Sequence, residues 1–232
     1  MAWERRILCA MTIEHRIILL GALAAHPLWN ETSPVRTPHA TTTLITGQDG
    51  SVLVNPSLPG TILTARLGER SAVEASGITQ LFLTSLAYDH CRGLDAFPSV
   101  PWYAFEPEID FQHRQVREDL QQAEDYGDTE AVAMLERHAL LLDQVRPAAD
   151  QLMPGVDLFP LPGLTPGTCG LLLPLPRQTV LISGDAVATR EHLDRGQVLP
   201  SCVDLEQAQE SFREAIQIAD LIIPGRDNLL VR

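Results

Sequence analysis

The chain has 232 residues, of which 45% are hydrophobic and 20% are charged, a composition typical of a soluble globular protein with a sizeable core. Its formal net charge of −13 disfavours phosphate backbones and anionic membrane surfaces, so we predict neither a nucleic acid nor a membrane as a partner. The four cysteines form no C-x-x-C pair, which favours a reduced, cytoplasmic protein: Cys9, Cys91, Cys169 and Cys202.

The amino-terminal segment allows two interpretations. Residues 16–25 combine a basic flank, a short apolar run and an Ala-x-Ala-like end, as a signal peptide does. An acidic residue just before the run and the shortness of its core favour a buried first strand over residues 17–20 instead, and the run is too short to span a bilayer. We expect residues 1–12 to be a disordered extension, and the start codon is left open between Met1 and Met11.

The first half of the chain predicts strands with one helix between them. A β-branched run at residues 41–46, a turn signal and a second apolar run at residues 51–54 indicate a hairpin. Residues 61–75 carry apolar side chains at helical spacing. Two further short apolar runs, residues 78–83 and 100–105, are typical of strands.

A charged segment, residues 108–145, interrupts this pattern. Its periodicity predicts two amphipathic helices, residues 108–126 and 129–145. One interpretation is a helical hairpin that packs one face on the domain and leaves the other solvated. The other is a lid over a pocket. His113 and His138 are expected at the surface in either case.

The remainder of the chain predicts four strands and one helix. Asp204 is a suitable N-cap for a helix over residues 205–219. The apolar runs that predict strands are residues 155–161, 171–175, 179–183 and 221–223. Early hairpins, later strands and helices between them predict two packed sheets with helices outside, in one α/β domain over residues 13–232.

Polar side chains with acid–base or metal-binding chemistry follow several of the predicted strands. Asp89 and His90 come after the strand of residues 78–83, and Asp185 follows the strand of residues 179–183. A strand that delivers such residues into a loop at its carboxyl end is a common way to place metal ligands or acid–base groups. We therefore expect a site at these strand ends.

Five motifs in this order resemble those of the metallo-β-lactamase superfamily. Residues 84–93 read Thr-Ser-Leu-Ala-Tyr-Asp-His-Cys-Arg-Gly, where the family has Thr-His-x-His-x-Asp-His-x-Gly-Gly. Later loops read Pro-Gly-Leu-Thr-Pro-Gly, Ser-Gly-Asp-Ala and Ile-Pro-Gly-Arg-Asp, similar to the family's Pro-Gly-His-Thr-Pro-Gly, Gly-Asp and Pro-Gly-His. Residues 52–55 resemble a family strand that ends in a structural Asp. The resemblance spans residues 17–228 and implies a four-layer αββα sandwich.

The resemblance also implies where two zinc ions would bind in an active member. The three histidines of one subsite correspond to Ser85, Ala87 and Leu164 here. A methyl or isobutyl group offers no lone pair and serine is a poor zinc ligand, so we expect that subsite to be lost. The other subsite has four ligands in the family, and these correspond here to Asp89, His90, Asp185 and Arg226.

Two hypotheses compete for that second subsite. In one, a single zinc, manganese or iron ion binds Asp89, His90 and Asp185. In the other, Arg226 replaces the metal as the positive charge between the two carboxylates, beside a neutral His90. The second is favoured because a guanidinium is a permanent cation that repels a divalent metal. We therefore expect no cofactor.

Chemistry without zinc would need another nucleophile, because nothing else here lowers the pKa of a water molecule by as much. Asp89 and His90 would be the base pair, with Cys91 or Ser85 as a less favoured nucleophile. Cys91 is expected to open a helix, whose N-terminus would lower the thiol pKa. His26 could reach the same cleft. Two further histidines are expected to be ordinary loop or surface residues: His39 and His192.

The leading functional expectation is a degenerate member without the dinuclear zinc site, a non-hydrolytic or weakly active binding protein. An anionic small molecule would pair with Arg226 only if the carboxylates leave it partly free. The rival expectation is a mononuclear metal-dependent hydrolase of an ester, thioester or lactone. A third is a subunit that binds a protein partner, or a second copy of itself, through residues 108–145, which an exposed apolar face on that hairpin would favour.

Overall fold

The computed structural model describes residues 13–231, which contain two six-stranded sheets. The strands of the first sheet, in their spatial order, are β1 (Glu14–Leu19), β2 (Thr42–Gly47), β3 (Gly50–Val54), β4 (Gln80–Leu83), β5 (Trp102–Ala104) and β6 (Val145–Pro147). The strands of the second, again in spatial order, are β7 (Gln151–Met153), β8 (Val156–Pro160), β9 (Cys169–Leu175), β10 (Gln178–Gly184), β11 (Leu221–Pro224) and β12 (Leu230–Val231).

The pairing of these strands explains the short connections and the helices. The first three strands pair antiparallel, whereas β3 to β6 run parallel and need crossovers. In the second sheet only β10 and β11 are parallel. The helices are α1 (Gly60–Arg70), α2 (Tyr88–Cys91), α3 (Glu106–Tyr126), α4 (Thr129–Leu142), α5 (Arg190–Arg195) and α6 (Leu205–Ile218).

Three apolar clusters show how the layers stack. One lies between the sheets, where Phe82 of β4 meets Leu171 of β9. The second packs α1, α3 and α4 against the outer face of the first sheet, and the third packs Phe212 of α6 against Leu181 and Ile222 of the second sheet. Helices therefore cover both outer faces of a two-sheet sandwich, which confirms the predicted four-layer α/β fold.

Most predicted elements are confirmed, with differences at their ends. The strand interpretation of residues 17–20 is confirmed by β1, and the Asp204 carboxylate caps α6 by accepting a hydrogen bond from the Gln207 N–H at 3.0 Å. The helix predicted for residues 61–75 ends at Arg70, because Ser71 is extended. The helix predicted for residues 129–145 ends at Leu142, since the chain then joins β5 as strand β6.

Sequence reasoning missed the shortest elements: α5, β6, β7 and β12. Each has too few residues to show a period. The extension predicted for residues 1–12 lies outside the described residues. Within residues 13–231, no helix is both long enough and apolar enough to cross a membrane.

Candidate functional site

The site forms where loops after strands of both sheets meet. Asp89 and His90 lie on α2, which follows β4, while Asp185 and Arg226 directly follow the parallel pair β10 and β11. The backbone N–H of Arg226 donates to the carbonyl of Ala188 at 2.8 Å, which joins the two loops of the second sheet. A Cβ at position 225 would lie 2.0 Å from Asp185 Oδ1, so the close approach of these loops requires Gly225.

Asn55 fixes the start of the α2 loop. It ends β3 in the left-handed region, at φ 50°, and its side chain bonds Thr84, the first residue after β4. The Thr84 N–H donates to Asn55 Oδ1 at 2.9 Å, and Asn55 Nδ2 donates to Thr84 Oγ1 at 3.0 Å. Because an amide can both accept and donate, this altered family position still anchors the loop that carries Asp89 and His90.

Arg226 lies between two carboxylates. Its Nε donates to Asp185 Oδ1 at 2.8 Å and its Nη2 to Asp185 Oδ2 at 2.6 Å, a bidentate pair. Nη1 donates to Asp89 Oδ2 at 2.5 Å, and Nη2 also lies 2.9 Å from His90 Nε2. We call these four residues, Arg226, Asp89, His90 and Asp185, the Arg226 cluster. Charge-assisted hydrogen bonds of this geometry offset much of the cost of burying the charges.

Burial and charge fix the ionisation of this cluster. Arg226 is 8% exposed, Asp185 5% and His90 0%. Burial alone would raise the pKa of the Asp185 carboxyl, but Arg226 and His90 together outweigh burial and hold that pKa well below its usual range. Burial also opposes ionisation of Asp89, and His90 and Arg226 nevertheless lower its pKa. The two carboxylates in turn raise the pKa of Arg226 against the effect of burial.

His90 Nε2 lies between the guanidinium and a carboxylate. It is 2.9 Å from Arg226 Nη2 and 3.1 Å from Asp185 Oδ2. A proton on Nε2 would be donated to Asp185, whereas a lone pair there would accept from Arg226, because a guanidinium has no acceptor. Nδ1 of His90 has no hydrogen-bond partner among the described residues.

A second polar group lies beside the positions of the lost histidines. Glu108, in the first turn of α3, is 0% exposed. Its Oε1 accepts hydrogen bonds from Ser85 Oγ at 2.9 Å, from the Leu86 N–H at 2.8 Å and from Gln112 Nε2 at 3.3 Å, and its Oε2 accepts one from Thr165 Oγ1. We call Glu108 and these four donors the Glu108 cluster. No described residue forms a salt bridge with Glu108, so neutral donors satisfy it.

Sequence reasoning missed Glu108 because no family motif includes it. The periodicity of residues 108–126 predicts the helix, but it does not show which polar residues of that helix are buried. Glu108 and Gln112 are four residues apart on the same face as Ile109 and Val116, which pack in the core. Polar side chains on the apolar face of an amphipathic helix need partners, and that pattern would have pointed to a buried cluster.

A cleft of about 720 Å³ opens above both clusters. Its floor includes Ser85, Ala87, Asp89, Asp185 and Arg226, which brings together the lost-ligand positions and the Arg226 cluster. Its walls are mainly apolar and include Leu23, Pro27, Phe111, Leu164, Leu199 and Val203. Because Phe111 and Gln115 belong to α3, the helical segment forms one wall of the cleft.

These residues do not fit a dinuclear zinc centre. Ala87 and Leu164 have no donor atom, and the Ser85 hydroxyl is committed to Glu108. Asp89, His90 and Asp185 do converge, but around the guanidinium of Arg226, which occupies the place of a positive ion. Within residues 13–231, no group of three or more His, Cys, Asp or Glu side chains is arranged to hold a metal.

The nucleophile considered at Cys91 is not supported. Cys91 is the last residue of α2, not the first, so no helix N-terminus acts on it. Burial, together with the charges of Asp89 and Glu108, raises the pKa of its thiol far above the usual value. The expected activation of Cys91 was wrong, because the helix begins three residues earlier than predicted.

Two histidines expected at the surface are buried, which corrects those predictions. His138 of α4 is 6% exposed and its Nε2 lies 3.0 Å from the carbonyl oxygen of Leu86, to which it donates. His192 of α5 is 0% exposed, and burial lowers its pKa to about 4. His138 lies on the packed face of a helix that was predicted to be amphipathic, and His192 lies on a helix that was not predicted. His113 is half-buried, and His39 lies half-buried in a loop.

His26 is close to the cleft but outside the Arg226 cluster. It is 3% exposed, and its Nε2 lies 3.2 Å from Thr189 Oγ1 and 3.4 Å from Glu191 Oε2. A neighbouring pocket of about 310 Å³ is lined by His26 and also reaches Arg226. The structure therefore places His26 behind the cluster, where it stacks on Trp29.

Comparisons with known proteins agree with this fold. The sequence model of the metallo-beta-lactamase superfamily matches residues 36–225. A search of curated protein sequences finds no match.

Several solved structures share the fold. A putative metallo-beta-lactamase from Thermotoga maritima has a TM-score of 0.68 at 16% identity, over 95% of this chain and 99% of that one. AidC, a dizinc quorum-quenching lactonase, has a TM-score of 0.60 at 15% identity, over 77% of this chain and 67% of that one. An AiiA variant from B. thuringiensis with bound N-decanoyl-L-homoserine has a TM-score of 0.58 at 17% identity, over 91% of this chain and 89% of that one. At these identities the likeness shows the fold alone.

Proposed function

The chain belongs to the metallo-β-lactamase superfamily, and from that premise we propose that it is a degenerate member without the dinuclear zinc site. In this proposal it binds a small molecule in the cleft and is non-hydrolytic or only weakly active. Cys91, Cys169 and Cys202 are free thiols, and the proposal places the protein in the cytoplasm, where thiols stay reduced.

One observation carries the proposal: Arg226 forms a fork with Asp185 and reaches Asp89 with its remaining nitrogen. A divalent ion at the same place would need the same carboxylate oxygens. It would also leave a permanent cation a few ångströms away, with the repulsion that two positive charges have in a partly buried site. The guanidinium therefore supplies the charge that the carboxylates need, without a Lewis acid.

The alternative is a mononuclear metal-dependent hydrolase of an ester, thioester or lactone. The convergence of Asp89, His90 and Asp185 favours it, since an Asp/His/Asp set is a reasonable ligand set for zinc, manganese or iron. It requires Arg226 to swing out of a network in which it makes four close contacts. That cost is why the metal-free proposal is preferred.

A partner-binding role for the helical segment is less favoured. Large exposed apolar side chains occur there, such as Met134 and Leu140 on α4. They are six residues apart, which puts them roughly 120° apart around the helix axis. The two side chains therefore do not form one stripe, as a docked helix face requires.

The test is the metal content of protein purified without chelator, after incubation with zinc, manganese or iron. We expect no stoichiometric metal in the unmodified protein. Arg226→His restores the fourth ligand position of the surviving subsite and should take up about one ion per chain. Arg66→His is the matched control, because Arg66 is an exposed arginine on α1 that pairs with Glu69.

A stoichiometric ion in the unmodified protein would overturn the proposal in favour of the mononuclear hydrolase. Ester, thioester and lactone substrates would then be screened, with lactones first because the structural neighbour AidC is a lactonase. No metal in either form of the protein would contradict the idea that Arg226 replaced the ion.

A further inference from the structure

The cleft offers a ligand very few free hydrogen-bond donors. Of the five N–H groups of Arg226, four point to Asp185, Asp89 and His90. The hydroxyls of Ser85 and Thr165 are turned toward Glu108, and Gln115 Nε2 donates to Asp119 at 3.0 Å. An anion was expected to pair with Arg226 only if its guanidinium is partly free. At most one N–H group of Arg226 meets that condition.

The cleft does offer a free acceptor. Asp89 uses Oδ2 for Arg226, and no described group donates a hydrogen bond to its Oδ1, whose nearest charged neighbour is His90 Nε2 at 4.0 Å. The Asp89 side chain is 20% exposed and lines the cleft. Oδ1 is therefore a carboxylate oxygen at the floor of the cleft that can accept a hydrogen bond from a ligand.

The charge of the cleft agrees with this polarity. Its charged lining consists of three carboxylates and one guanidinium: Glu31, Asp89, Asp185 and Arg226. Glu31 is paired with Arg36, which lies outside that lining. The Arg226 cluster contains two carboxylates and one guanidinium. The net charge of −13 on the whole chain adds a field that attracts cations and repels anions.

From these observations we propose that the cleft binds an amphiphilic amine, whose protonated nitrogen donates to Asp89 Oδ1 and whose apolar body packs on the cleft walls. The proposal rests on the metal-free function proposed above and names the class of its ligand. The cleft volume of about 720 Å³ is within the range of small-molecule sites. Phe111, Leu164 and Leu199 supply the apolar wall, and Asp89 fixes the orientation of the charged end.

Three probes that share one apolar chain test the charge of the head group on the unmodified protein. Octylammonium, octanol and octanoate are titrated separately by calorimetry, at low salt and neutral pH. We expect octylammonium to bind about tenfold more tightly than octanol, because a hydrogen bond to a charged group adds that much affinity, and octanoate to bind most weakly. Equal or tighter binding of octanoate, or no binding of any probe, would overturn the proposal.

A pair of isosteric variants tests the residue. Asp89→Asn should weaken octylammonium binding about tenfold and leave octanol binding nearly unchanged. Asp49→Asn removes the same charge from an exposed turn between β2 and β3 and should leave both affinities unchanged. Equal losses in the two variants would show only a general charge effect and would overturn the assignment of Asp89.

Metal analysis of the same preparation separates the two proposals. Bound metal overturns the proposed function, and this inference with it. Metal-free protein that prefers octanoate overturns this inference alone. If Asp89→Asn does not fold, the ranking of the three probes on the unmodified protein still decides the outcome.

Discussion

The two clusters under the cleft differ in the sign of the charge that each one surrounds. In the Arg226 cluster a cation lies between carboxylates, and in the Glu108 cluster a carboxylate lies among neutral donors. The first cluster pairs two carboxylates, those of Asp89 and Asp185, with a positive charge. In the second, a carboxylate from α3 is satisfied by hydroxyl, amide and backbone N–H groups.

The sharpest way to break this comparison is to remove the cation. Arg226→Met leaves two buried carboxylates without their partner and should lower the free energy of unfolding by about 3–5 kcal/mol at neutral pH. Arg66→Met removes an exposed arginine from a surface pair with Glu69 and should cost about 0.5 kcal/mol or less. Urea unfolding of both variants measures the difference. A loss below about 1 kcal/mol for Arg226→Met would mean that the carboxylates do not depend on it.

The next test addresses the other cluster. Glu108→Gln replaces one acceptor oxygen by an N–H₂ group that then faces a hydroxyl or a backbone N–H, and should cost about 1–3 kcal/mol. Glu106→Gln is the matched control, because Glu106 is exposed in the same first turn of α3 and shares any effect of the helix dipole. If the two variants lose equal stability in urea, the buried network around Glu108 adds nothing beyond that dipole effect.

The two clusters also differ in how far the sequence predicts them. Asp89, His90, Asp185 and Arg226 follow strands within short motifs whose order matches a known family, so their neighbourhood could be predicted from the chain. Glu108 is supplied by a helix that is 21 residues long and belongs to no motif. Three of its four partners come from two separate loops, and no local pattern connects a helix to such loops.

The same reason explains the other elements and residue positions that were not predicted from the sequence. The fold followed from long periodic segments, whereas α5 and the two-residue strand β12 are too short to show a period. The burial of His192 depends on tertiary packing of α5, and the position of Cys91 within α2 depends on where a four-residue helix begins. Both are properties of contacts distant in sequence, so propensity could not supply them.

His192 lies outside both clusters, and its titration also changes stability at acid pH. Its contribution must be measured before an acid effect is assigned to either cluster. Burial lowers the pKa of His192 from 6.5 to about 4 in the folded protein. Between these values the unfolded chain binds a proton that the folded protein does not, so stability falls as the pH falls through this window, by at most about 1.4 kcal/mol per pH unit. His192→Asn keeps a group able to bond Thr189 and should reduce the slope of this part of the profile. His39→Asn, in a half-buried loop, should not. His15 and His138, whose pKa values burial also lowers, still contribute to that slope.

Below this window the Arg226 cluster contributes to the acid sensitivity, together with Glu31 and Glu191, whose pKa values are also lowered. The folded pKa values of Asp89 and Asp185 are lowered, so their contribution to stability is present above the unfolded value of about 3.9 and is lost as the pH falls through the folded values. Asp89→Asn removes one of these groups and should reduce the slope of stability against pH below about 4 without changing it near pH 6. Urea midpoints measured at half-unit steps test this. An unchanged acid slope would show that the charge of Asp89 is not coupled to folding, and the pairing of Arg226 would then rest on Asp185 alone.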